Sequence, residues 1–342
     1  MKDIQAYIRP CMLKLQAYSS ARNEFQAENG IFLDANENPF GTLNRYPDPL
    51  QLELKTRLAE IKNVKTSQLF IGNGSDELID LLIRISCEPN QDKIGILSPT
   101  YGMYKVLADL NSVELVDFRL NDEFQLTQEL VDAICATNDL KVLMICSPNN
   151  PTGNCLDVQL LEQIFQRFNG LVLIDEAYID FAEQESWISR LNEFPNCIVS
   201  QTFSKAFGLA NARVGVAYGS EELIGLLTKI KAPYNVSGLN QTAALNALNR
   251  WDEIQQEIAI IKEERENLSS ELSKLPLVKR MYPSEANFIL LEVENAEEIY
   301  NELLSKGIVV RNRTKDVKNT IRISIGTPAE NEQVITALKN RS

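Results

Sequence analysis

From about residue 69 to 235 the chain alternates short, nearly continuous apolar runs with longer segments of helical spacing. The runs are "LFI" (69–71), "KIGIL" (93–97), "VELVDF" (113–118), "KVLMIC" (141–146), "LVLID" (171–175), "CIVSQ" (197–201) and "RVGVAYG" (213–219). A strand with one wet face alternates apolar and polar positions. A continuous apolar run is buried on both faces. Seven such runs with helices between them predict an α/β fold around a mostly parallel central sheet flanked by helices. After "GNGSDE", Leu78, Leu81, Leu82 and Ile85 recur at i, i+3, i+4 and i+7, which predicts an amphipathic helix.

Beyond the sheet region, residues 238–274 read as a long helical stretch with a break or bend. A strand "NFILLEV" (287–293), a helix over 296–307, strands "IVVR" (308–311) and "TIRISIG" (320–326), and a helix from Pro328 complete the chain. This β-α-β-β-α tail predicts a smaller α+β domain. The expected division is a large domain over 45–235, an N-terminal segment over 1–44, and a linking helix with the small domain over 236–342.

Composition narrows the chemistry. The chain has 342 residues, 44% hydrophobic and 24% charged, with a net charge of −13. That balance argues against nucleic acid or an anionic membrane as partner, and leaves room for a small anion in a local cationic pocket. No apolar run has the length of a membrane span, and the N-terminus lacks the apolar stretch of a signal peptide, so a cytoplasmic protein is expected. Cys11, Cys87, Cys135, Cys146, Cys155 and Cys197 form no C-x-x-C pair and read as buried free thiols, with no metal site. There is no histidine. Proton transfer near neutral pH must fall to Lys, Tyr, Cys or a carboxylate.

The unusual polar residues follow the apolar runs. They are "GNGSDE" (72–77), "SPTYGMY" (98–104), "SPNNPTG" (147–153), "DEAYIDF" (175–181) and "QTFSKAF" (201–207). Ligands of open parallel sheets gather at the carboxyl ends of the strands, so five such loops indicate one site. Gly72 and Gly74 permit close backbone approach, and Ser75 is suited to cap a helix whose N-terminus favours an anion. Asp175 follows four apolar residues directly and needs either a partner or a helix to cap. Tyr178 lies three residues on. Lys205 stands among small and apolar residues, which disfavours its charged form and makes its amine a nucleophile suited to a Schiff base with an aldehyde. Thr202, Ser204 and Arg213 suit a phosphate monoester, and Asp175 suits a pyridinium nitrogen. Aldehyde, phosphate and pyridinium together describe pyridoxal 5′-phosphate.

In this order, the motifs resemble the aspartate-aminotransferase superfamily of pyridoxal-phosphate enzymes, fold type I, over nearly the whole chain. The resemblance is closest to its histidinol-phosphate aminotransferase family. It is carried by "LDANENPFG" (33–41), "RYPDP" (45–49), "PYNVSGLNQ" (233–241), "SEANFIL" (284–290), the loops above, and the arginines of "GIVVRNR" and "TIRISIGT". One departure is visible: Asn211 stands where the family reads Gly, in a loop where Asn tolerates a left-handed backbone.

The resemblance implies roles. Lys205 would bind the cofactor covalently and move protons, and Asp175 would bind its ring nitrogen. Tyr178 and Asn150 would bond its phenolic oxygen, and Tyr101 would stack on its ring. Ser75, Asp76, Thr202, Ser204 and Arg213 would hold its phosphate. Tyr46 would reach the partner's cofactor in a homodimer with shared sites. Arg311, Arg322 and Tyr18 would bind the phosphate of histidinol phosphate, or a carboxylate of glutamate. A threonine-phosphate-type decarboxylase, an aromatic aminotransferase and a non-catalytic binding protein of the same fold remain alternatives at this point.

Overall fold

The computed structural model describes residues 3–16 and 30–340. Its main sheet joins β1 (Leu69–Asn73), β2 (Lys93–Ser98), β3 (Glu114–Arg119), β4 (Leu140–Cys146), β5 (Leu171–Asp175), β6 (Cys197–Thr202) and β7 (Val214–Tyr218) in the order β1-β7-β6-β5-β4-β2-β3. Only β7 runs antiparallel to its neighbours. All seven apolar runs are therefore strands of one mostly parallel sheet. The edge strand β3 differs from the expectation of burial on both faces, because the sheet ends there and half its residues meet solvent.

Eleven helices are described: α1 (Pro10–Lys14), α2 (Leu52–Lys62), α3 (Ser75–Ser86), α4 (Met103–Leu110), α5 (Gln128–Ala136), α6 (Val158–Arg167), α7 (Glu221–Ile230), α8 (Gly238–Asn249), α9 (Trp251–Ser273), α10 (Ala296–Ser305) and α11 (Pro328–Lys339). The pleat sorts side chains to two faces. Leu143, Ile145, Val172 and Ile174 join Leu54, Leu161 and Leu248 from α2, α6 and α8. Val142, Met144, Leu171 and Leu173 join Leu82, Leu107 and Leu223 from α3, α4 and α7. Ile4, Tyr7 and Ile8 from the N-terminal segment are buried in this second cluster.

The long helical stretch breaks at Arg250, which leaves helical geometry and serves as both the end of α8 and the start of α9. The second sheet is antiparallel, in the order β10-β11-β9-β8, from β8 (Val278–Met281), β9 (Phe288–Val293), β10 (Arg311–Asn312) and β11 (Thr320–Ser324). Strand β8 escaped the sequence pattern because it is a short edge strand with no fully buried residue. Of "IVVR", only Arg311 pairs. Helix α9 joins the two sheets: Leu268 and Leu272 pack on the small sheet, and buried Arg265 donates to Phe181 O (3.2 Å) and Ala286 O (3.1 Å).

Among the described residues no helix is long and apolar enough to cross a membrane, and no group of side chains could hold a metal ion. The six cysteines are free, and Cys11 is exposed, against the expectation that all are buried.

Candidate active site

The carboxyl ends of β4, β5 and β6, the start of α3 and the second sheet enclose a cavity of about 590 Å³. Its wall includes Ser75 and Asp76 from α3, Tyr101 after β2, Asn150 after β4, Asp175 and Tyr178 from β5 and its loop, and Thr202, Ser204, Lys205 and Arg213 around β6 and β7. Arg311 and Arg322 close it from β10 and β11. All five polar loops thus meet at one site. Tyr46 does not reach this cavity within the chain. It stacks on Tyr234 with centroids 4.4 Å apart and lines a separate cavity with Gly238. Tyr18 lies outside the described residues.

The α3 end is built for close approach. Gly74 takes φ +77°, and a Cβ there would meet Arg213 Nη2 at 2.6 Å. Gly215 on β7 faces the same turn, where a Cβ would sit 2.4 Å from Ser75 N. Two glycines therefore let the start of α3, β7 and the Arg213 guanidinium converge. Ser75 does not cap the helix as expected: it is the first helical residue, and the cap position is Gly74, which has no side chain. The first N–H groups of α3 are left for a ligand, beside the positive end of the helix dipole. Arg213 itself has φ 50°, donates to Ala210 O at 3.2 Å, and lies 3.7 Å from Asp76 Oδ2. The left-handed positions of this loop are thus Gly208 (φ 64°) and Arg213. Asn211 sits inside a short 3₁₀ turn, Ala210–Ala212.

Asp175 is buried at the end of β5. Its Oδ1 accepts from Ser200 Oγ (3.0 Å) and Ala177 N (3.2 Å), and its Oδ2 from Tyr104 Oη (2.8 Å). Burial pushes its pKa up, while these three donors pull it back. Sequence reasoning missed Tyr104 and Ser200. Tyr104 lies three residues beyond Tyr101, in the first turn of α4, and Ser200 is paired with Asp175 across β5 and β6, a register that no local pattern reveals.

Lys205 is half-buried, with Nζ 5.6 Å from the centre of the Tyr178 ring. Burial, then Arg322 and Arg213, lower its pKa, against Asp175 and Asp76. Asn149 and Asn150 divide their work. Asn149 is structural, donating to Pro99 O and Thr152 Oγ1 and accepting from Thr100 Oγ1. Asn150 faces the cavity, and its Oδ1 accepts from Arg322 Nη1. A third arginine of the small sheet, Arg313, also lines the cavity. The wall therefore carries Lys205, Arg213, Arg311, Arg313 and Arg322 against Asp76 and Asp175, a cationic pocket in an acidic chain.

The family model for aminotransferase class I and II matches residues 18–338. The chain belongs to that family. Its similar proteins include a histidinol-phosphate aminotransferase of Christiangramia forsetii, 48% identical over 346 residues and covering 99% of both chains. One of Flavobacterium johnsoniae with the same name is 49% identical over 344 residues, 98% of both. The solved histidinol-phosphate aminotransferase of Sinorhizobium meliloti, in complex with pyridoxal-5′-phosphate, superposes with a TM-score of 0.80 at 26% identity, covering 89% of this chain and 88% of that one.

Proposed function

We propose that the protein carries out reversible amino transfer from histidinol phosphate to 2-oxoglutarate, giving imidazole-acetol phosphate and L-glutamate, with pyridoxal 5′-phosphate as cofactor. The reaction belongs to L-histidine biosynthesis in the cytoplasm. The observation that carries this reading is one cavity with two separate cationic ends, Arg213 beside α3 and Arg311 with Arg322 on the small sheet, and Lys205 and Asp175 between them. A cofactor with one phosphate occupies one end, and the other end then calls for an anionic substrate.

The residues present fit that cofactor. The glycine-lined start of α3, with Ser75, Asp76, Thr202, Ser204 and Arg213, would hold its phosphate. Asp175 would hold its ring nitrogen, since Oδ2 accepts only one protein donor and keeps acceptor capacity. Asn150 and Tyr178 would meet its phenolic oxygen: Arg322 occupies Asn150 Oδ1, which leaves Nδ2 to donate. Tyr101 would lie against its ring. Bound there, the cofactor supplies an aldehyde that captures amines and a ring that draws electrons from the amine-bearing carbon.

The chain supplies the rest. Lys205 Nζ, with its basicity lowered by burial and by neighbouring arginines, is present as free amine to a larger extent than an exposed lysine. It takes the proton from the amine-bearing carbon of histidinol phosphate. Arg311 and Arg322, with Tyr18, bind the substrate's phosphate in one half-reaction and a glutamate carboxylate in the other.

The working enzyme in this reading is a homodimer. Ile31, Leu33 and Phe40 are each more than 80% exposed (91%, 87% and 82%), on the arm that leads to Tyr46. A second copy that covers this apolar arm would also bring Tyr46 to the partner's cavity.

The test is direct. The purified protein should carry a visible absorbance band, and histidinol phosphate should discharge it faster than threonine phosphate or phenylalanine does. A colourless protein, or one that releases carbon dioxide from threonine phosphate in preference, overturns the reading.

A further inference from the structure

We propose that Arg313 sets the preference for a doubly charged phosphate over a singly charged carboxylate at the small-sheet end of the cavity. The inference rests on the functional reading above and concerns the substrate end only.

Arg311 and Arg322 are cross-strand partners in β10 and β11. Arg313 lies two residues beyond Arg311, and all three arginines line the cavity. Arg313 lies beyond the strand yet is firmly held. Its N–H donates to Thr320 O at 2.8 Å, and its carbonyl accepts from Asp316 N and Val317 N, both at 2.9 Å. Its Nε lies 3.0 Å from Asp316 Oδ2, an ion pair without hydrogen-bond geometry. That contact anchors one edge of the guanidinium and leaves the terminal nitrogens for a ligand.

Three guanidiniums in one wall repel one another. Burial lowers the basicity of Arg322, and Arg313 and Arg311 lower it further. Among the described residues, Asp316 is the one carboxylate paired with any of the three. An incoming anion relieves that repulsion in proportion to its charge. Coulomb energy is linear in charge, so at a given distance a phosphate dianion gains twice what a carboxylate gains from Arg313. Loss of Arg313 should therefore cost the phosphate substrate the square of the factor it costs glutamate. The advantage should also titrate, because the dianion of a phosphate monoester takes up a proton and becomes a monoanion near pH 6, as phosphorylated side chains do.

Arg313→Gln and Arg313→Lys in the cofactor-loaded enzyme provide the test, with kcat/KM for histidinol phosphate and for glutamate measured at pH 8 and pH 5.5. The expected loss for Arg313→Gln at pH 8 is about tenfold for histidinol phosphate and about threefold for glutamate, mostly in KM. At pH 5.5 the two losses should converge. Arg313→Lys, which keeps the charge, should recover most of the preference, and the cofactor absorbance should be unchanged in both variants. Equal losses for the two substrates, or a ratio independent of pH, overturn the role of Arg313 while the functional reading stands. A parent enzyme that does not turn over histidinol phosphate overturns both.

Discussion

Tyr104 donates its phenolic proton to Asp175 Oδ2 over 2.8 Å; both side chains are buried, Asp175 in the cavity wall and Tyr104 behind it. The bond links α4 to the end of β5. It offsets part of the burial that otherwise drives Asp175 toward its neutral form. A neutral Asp175 could not stabilise a protonated ring nitrogen.

Tyr104→Phe should therefore weaken cofactor binding and lower kcat, each by about one decade, the size of one hydrogen bond to a charged group. The decisive measurement is the ¹⁵N chemical shift of the ring nitrogen in labelled cofactor. It should move toward the unprotonated value in the variant. An unchanged shift and an unchanged dissociation constant would leave Tyr104 as packing alone.

Lys205→Ala should leave a folded chain that binds cofactor but yields no lysine adduct on borohydride reduction. Turnover should fall by at least about 10²–10⁴-fold, the usual contribution of a positioned proton-transfer group. A reducible adduct at another lysine, with activity retained, would move the role elsewhere.

Much of this was legible in the residue order. The seven strands were readable because a sheet covered by helices on both faces leaves unbroken apolar runs, and the loops after five of them carry the polar side chains. What escaped had weak local signals. Strand β8 is short and half-wet. Tyr104 and Ser200 belong to no recognisable motif, and their role depends on where Asp175 ends up in space. The role proposed for Tyr46 comes from the resemblance alone, since its expected target is outside its own chain. Ser75 shows a local rule giving way: a serine ahead of an apolar run signals a cap, but the helix begins one residue earlier because Gly74 takes the turn.

Glu176 gives a stability prediction. It is fully buried beside Asp175, with donors Ser186 Oγ, Trp187 N and Gln201 Nε2, and burial raises its pKa from 4.5 to about 7. The folded state thus favours its protonated form. Its contribution is complete below pH 4.5 and is lost as pH rises through 7, at most about 3 kcal/mol. Glu176→Gln should be flatter than the parent in urea-unfolding free energy between pH 5 and 8. Coincident slopes would mean that Glu176 does not titrate in this range.

Tyr46 should act across a subunit boundary. Tyr46→Phe and Lys205→Ala protomers, each impaired alone, should regain activity on mixing, up to about a quarter of the parent's sites by random pairing of shared sites. Light scattering should give twice the chain mass of 38.6 kDa. A fully active monomer is the result that excludes this arrangement.

Arg322 and Arg311 should bind substrate and not cofactor. In the proposed reading Arg213 and the open start of α3 would hold the cofactor's phosphate, which would leave the cations of the second sheet for a second anion. Arg322 is built into the wall: it donates to Asn150 Oδ1, stands 5.1 Å over the Phe288 ring, and has a buried Nε with no protein partner. A charge-assisted bond to a buried anion contributes roughly 1.5–3 kcal/mol, or about one to two decades in affinity. Arg322→Ala should raise KM for histidinol phosphate by that factor, and should weaken glutamate as well. Cofactor content should stay near stoichiometric, because the phosphate end of the site is untouched. Histidinol, which lacks the phosphate, should bind the parent poorly and respond little to the change. If Arg322→Ala lost cofactor yet kept the parent's preference for histidinol phosphate over histidinol, the assignment of the two cationic ends would be reversed.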